Sequence, residues 1–218
     1  MTPPPAYATV EEIHAHLVDQ LNSALRLTGM FGGELALRTL VEHLLFVERE
    51  PEAWEELRET WEKEGAWSPL GVTGAFRDLI PDRSYLSGSA SVYAEFARRR
   101  GWLVPDRTLT SDAYEELAGR LGEWAEKDRT WPDITAELGA PSILFGGSNP
   151  YYGKSLGYLC TDLTRPMVVF HLWNDGPTAD AGHDQPSLLA VCRADEPFRR
   201  SFRFTPEGER RRPARDGC

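Results

Sequence analysis

Residues 146–155, Gly-Gly-Ser-Asn-Pro-Tyr-Tyr-Gly-Lys-Ser, follow a strand-like run and end in the Gly-Lys-Ser of a phosphate-binding loop. Such a loop works by backbone N–H donation at GxxxxGK[ST] spacing and opens a helix whose N-terminus faces the phosphates. Here Ser148 stands where the first glycine belongs, Pro150 removes a donor, and the residues after Ser155 read as a strand. Nucleotide binding of this kind is not expected. The segment still gathers Asn149, Tyr151, Tyr152 and Lys154 on a loop at a sheet edge, where a rigid scaffold commonly holds binding groups. A plain hairpin connection accounts for the same turn-forming residues.

His171 sits in the middle of the apolar run Met167-Val168-Val169-Phe170-His171-Leu172-Trp173. Alternation along a strand separates Val168, Phe170 and Leu172 from Met167, Val169, His171 and Trp173. If residues 162–165 close a hairpin with Cys160 opposite Met167, then Tyr158 opposes Val169 and Leu156 opposes His171. That register puts Cys160, Tyr158 and His171 on one face, which with Lys154 and the rim Asn149, Tyr151 and Tyr152 would line a pocket. A Cys160–His171 nucleophile and base is not expected, because four strand positions at about 3.3 Å each hold them about 13 Å apart.

The other histidines offer less. His14 and His16 point in different directions on a helix, and His43 lacks an HExxH partner. His183, with Asp180 and Asp184, sits in a loop that gives a metal no fixed geometry. Cys160, Cys192 and Cys218 have neither disulfide-framework nor zinc spacing, and the first two lie in apolar runs as small buried hydrophobes. No metal or cofactor is expected. Glu52, Glu55, Glu56, Glu59 and Glu62 surround the apolar stripe Trp54, Leu57 and Trp61, so that helix would show a negative face to a basic protein or simply to water. Trp54, Trp61 and Trp124 read as core aromatics.

The elements that must hold these groups follow from periodicity. Thr9 with Glu12 has capping-box spacing, and a helix over 10–28 is expected from Ile13, Leu17, Leu21, Ala24 and Leu25. Leu-Thr-Gly-Met-Phe-Gly-Gly-Glu at 27–34 has the look of a signature to which no function attaches. A helix over 34–50, apolar on more than one face, should be the most buried. Further helices are expected over about 51–64, 72–79, 89–100, from Asp112 with Glu115, and over 132–138. Beyond Gly139 the apolar spacing falls towards two, with short strands at 142–145, 156–160, 167–173, 188–192 and 199–204. Short connections favour antiparallel hairpins, apart from the long loop 174–186.

The expected fold is α+β, its helical N-terminal two-thirds packed on one face of a C-terminal four- or five-stranded antiparallel sheet. Residues 1–8 are expected to form a flexible leader, 9–206 one domain (helical over 9–139, β-rich over 140–206), and 207–218 a disordered tail.

A formal charge of −10 in 218 residues argues against nucleic-acid binding and fits basic partners or, as the default, simple solubility. No apolar run has the length of a membrane span, and Met-Thr-Pro-Pro-Pro-Ala-Tyr lacks the basic and apolar regions of a secretory signal. A soluble cytoplasmic protein is expected. Its expected function is interaction, for example as an immunity- or antitoxin-type inhibitor of a basic protein, with Glu52, Glu55, Glu56, Glu59 and Glu62 at the contact. The alternative is a small enzyme or small-molecule binder in which His171, Tyr158 and Lys154 do the chemistry. Its oligomeric state is not readable.

Overall fold

A computed structural model of the chain describes residues 7–81, 84–174, 185–194 and 197–213. The chain begins with α1 (Val10–Arg26), whose capping box forms as the spacing requires: Glu12 N–H donates to Thr9 Oγ1, and Thr9 N–H to the Glu12 carboxylate. A 3-10 turn (Thr28–Met30) leads to α2 (Glu34–Val47), α3 (Ala53–Glu64), α4 (Gly71–Arg77) and α5 (Tyr85–Arg99). Three short helices follow, α6 (Ser111–Gly119), α7 (Leu121–Ala125) and α8 (Trp131–Leu138).

The sheet is a five-stranded antiparallel meander in sequence order, β1 (Ile143–Phe145), β2 (Lys154–Tyr158), β3 (Val168–Trp173), β4 (Ser187–Arg193) and β5 (Arg203–Phe204). A single turn of helix, α9 (Phe198–Ser201), precedes β5, and α10 (Pro206–Arg211) follows it. The α+β class, with helices mostly N-terminal and an antiparallel sheet, is as the apolar spacing indicates. No helix among the described residues is long and apolar enough to cross a membrane.

Helices cover both faces of the sheet rather than one. Met167, Val169, Ala190 and Cys192 pack with Leu21, Leu25, Leu44, Phe76, Tyr93 and Ala97 from α1, α2, α4 and α5. Leu156, Tyr158, Val168, Phe170, Leu172 and Val191 pack on the other side with Tyr114, Leu117, Leu121, Trp124 and Ile134 from α6, α7 and α8. A strand covered on both sides loses polar alternation, and β2 and most of β3 are buried at every position.

The most deeply packed helix is α5, not α2, where Leu35 and Phe46 face outward. Its Ser87, Gly88, Ser89, Ala90, Ser91, Ala94 and Ala97 are all buried. Small side chains let backbones approach closely: a Cβ on Gly88 would lie 2.6 Å from the Phe76 ring.

Residues 207–213 are ordered, against the expected tail. Thr205 Oγ1 accepts from Gly208 N–H to cap α10, and Pro206 fits its first turn. The helix docks where a β-bulge places Leu189 between paired residues of β3 and β4. There Thr205 N–H donates to Leu189 O and Thr205 Oγ1 to Leu188 O, while Arg211 lies 3.9 Å over the Trp173 ring.

Candidate functional site

The observed register separates residues that the sequence had placed together. Tyr158 pairs with Val168 and Ser155 with His171, one residue away from the expected alignment. Because side chains alternate, that single step moves Tyr158 to the opposite face from His171. Just past β2 the chain pairs elsewhere: Leu109 N–H donates to Leu159 O and Thr161 N–H to Leu109 O, so Cys160 bridges the 109 segment and not Met167. Tyr158 instead packs edge-on against Phe170 and donates its hydroxyl to Gly139 O, with burial raising its pKa. A pocket shared by His171, Tyr158 and Lys154 does not exist.

Lys154 lies on β2 and is fully buried on the Tyr158 face. Among the described residues no carboxylate is bonded to it. Its Nζ donates to Gly147 O at 3.1 Å and Asn149 O at 2.7 Å, and sits 4.3 Å over the Trp131 ring. Desolvation pushes its pKa down to about 8. The lysine at the end of the apparent phosphate motif therefore binds the carbonyls of its own loop.

That loop is held at several further points. Asn149 Oδ1 accepts from Tyr151 N–H, Asn174 Nδ2 donates to Pro150 O, and Gly146 N–H donates to Arg26 O at the end of α1. The last bond, with Gly147 against Leu27, sets the loop beside residues 27–34. The second segment is equally fixed. Gly32 and Gly33 adopt positive φ, Gly33 N–H donates to Thr28 O, and Glu34 accepts from Val72 N–H, Thr73 N–H and Tyr93 hydroxyl. Both anchored segments expose large apolar side chains: Met30 (81%) and Leu35 (72%), with Leu27, Phe31, Tyr151 and Tyr152 less so.

On the opposite sheet face His171 is fully buried between Phe202, stacked at 5.3 Å, and the edge of Phe76. Its Nδ1 is 2.9 Å from Ser155 Oγ and its Nε2 is 3.4 Å from Cys192 Sγ. Ser155 donates to Ser87 Oγ, and Ser87 to Ser84 O. Ser155 thus receives the Nδ1 proton, which leaves Nε2 to accept from the thiol. Burial pushes the imidazole pKa down to about 3 and the thiol up to about 12. A reactive thiolate needs the reverse shift, so this pair is a neutral hydrogen-bonded link. Cys192 is the histidine's partner that the sequence did not reveal: β3 and β4 join through the long 174–186 connection, which leaves their register unreadable. Cys160 belongs to the other core.

Cys192 also floors a pocket of about 140 Å³ between α3, α5, α9 and the sheet. Trp61, Phe76, Phe96, Met167, Val169 and Phe198 line it, with Thr60, Glu64 and Arg99 at the exposed side.

Glu52, Glu55, Glu56, Glu59 and Glu62 are all exposed, as drawn from periodicity. Arg58 bonds both Glu55 and Glu62, and Lys63 approaches Glu59 at 3.7 Å, which thins the negative face. His14 is engaged by Glu48 at 2.9 Å. His183, Asp180, Asp184 and Cys218 lie outside the described residues. Comparison with protein families, with curated proteins and with solved structures finds no match.

Proposed function

We propose that this chain is an interaction protein that covers a basic protein partner, in the manner of an immunity- or antitoxin-type inhibitor. The observation that carries the reading is the junction of two anchored segments, 27–35 and 146–153, at Gly146 N–H to Arg26 O. Exposed Met, Phe and Tyr are the side chains enriched at protein interfaces, and a pre-ordered backbone lowers the entropic cost of association. The formal charge of −10 favours a basic partner, with Glu52, Glu55, Glu56, Glu59 and Glu62 contributing to the attracting field. Separation of His171 from Tyr158, and a thiol kept neutral, weigh against the enzyme reading.

The test is capture from the native host with the intact chain as bait. A basic protein retained in equal amount supports the reading if Met30→Asp, melting at the wild-type temperature, releases it. Truncating a central aromatic anchor typically costs 2 kcal/mol or more, so Tyr151→Ala should weaken binding by roughly 30-fold. Retention of the partner by both variants overturns the reading.

A further inference from the structure

We propose that the pocket floored by Cys192 is a binding site for a small uncharged aromatic molecule, between benzene and indole in size. It shares no residue with the 27–35 and 146–153 surface. Volume sets the scale: an apolar cavity of about 150 Å³ takes up benzene, and the exposed side of this pocket of about 140 Å³ leaves room for a second fused ring. Shape and lining agree, because Trp61, Phe76, Phe96 and Phe198 bring ring faces and edges to one space, with Met167 and Val169 from the sheet.

The buried polar groups of the pocket are already occupied, while Glu64 and Arg99 stand only at its exposed side, and this decides the ligand's charge. The Cys192 thiol is committed to His171 Nε2, and His171 through Nδ1 to Ser155. Glu95, which also lines the space, accepts two bonds from Arg98, one from Arg99 Nε and one from Met167 N–H. Ser91 and Ser201 hydroxyls donate to Gly88 O and Phe198 O. A charged group carried inward past Glu64 and Arg99 would meet no free counter-charge, and burying an unpaired charge is heavily disfavoured. What remains is sulfur lone-pair capacity, suited to one weak N–H or O–H donor on the ligand's edge. An apolar space left unfilled forfeits the dispersion contacts of its lining, and a ring of matching size restores them.

Indole is the probe, with benzoate and benzylamine as charged controls of similar ring size. Calorimetric titration of the intact chain should give a dissociation constant below about 1 mM for indole and about tenfold weaker binding, or none, for the controls. Val92→Trp, which places a ring in the space from its wall, should abolish indole binding. A second readout does not depend on that variant folding. In methyl NMR of the wild type, the Met167 signal should shift saturably with indole while exposed Met30 does not. Failure of Met167 to shift, equal binding of the charged controls, or unchanged indole affinity in a folded Val92→Trp would each overturn the proposal.

Discussion

Two side chains that look reactive in the sequence are consumed by structure, and each leaves a titration signature. His171 is held neutral, its pKa about 3 when folded against an ordinary value of about 6.5 in the unfolded chain. The unfolded state takes up the proton first, so stability is complete above pH 6.5 and falls as the pH drops towards 3. The slope is about 1.4 kcal/mol per pH unit, and His171→Gln should lack it in urea titrations over pH 6.5–4. Lys154 shifts in the same direction over a higher pH range: folding lowers its pKa to about 8, so burial of its charge weakens the fold below that pH. As pH rises from 8 towards 10.5 the stability of the wild type relative to Lys154→Met should climb by about 1.4 kcal/mol per unit. A flat difference in either series would show that the group is not buried as described. Histidine in an apolar strand and lysine after glycine are visible in the sequence. Cys192 and the Gly147 carbonyl are not, because nothing local specifies them as partners.

At the scale of elements, legibility follows how local the causes are. The α1 capping box and the Trp54–Trp61 stripe of α3 arise within a few residues, and both stand where spacing puts them. At the end of β2, Cys160 pairs with Leu109, some fifty residues upstream, which no local rule supplies, and a one-step error in the β2–β3 register exchanges the two faces. The lack of residues to bury suggested a disordered end, yet Thr205-Pro206 followed by Gly208 is a helix start that a capping argument finds. What no local rule supplies is the docking at the bulge: a Cβ on Gly208 would lie 1.9 Å from Leu189 O. Gly208→Ala must therefore push α10 off β4. The expected loss is about 1–3 kcal/mol, with faster amide exchange in α10 and at Thr205. Gly65→Ala is the control, since its Cβ meets nothing within 4 Å and only its φ of +79° is strained, costing about 1 kcal/mol without freeing α10.

For the whole molecule, the sheet's two apolar faces require two helical layers, and the sequence shows this only in the near absence of polar residues along β3. Charge is the other whole-chain property, and it separates the steps of the proposed association. The acidic field acts at long range and is screened beyond about 8 Å at physiological salt, whereas Met30, Leu35, Tyr151 and Tyr152 act only on contact. Raising salt from 0.05 to 0.5 M should therefore slow association with a basic partner by about tenfold or more and leave dissociation nearly unchanged. Tyr151→Ala should do the reverse, speeding dissociation while association keeps its salt dependence. Glu52→Lys with Glu56→Lys, which reverses two acids that have no arginine or lysine bonded to them among the described residues, should reduce the salt slope alone. Stopped-flow and surface-binding kinetics on the captured pair distinguish these effects. An association rate indifferent to salt would mean that the negative charge serves the free protein and not the complex.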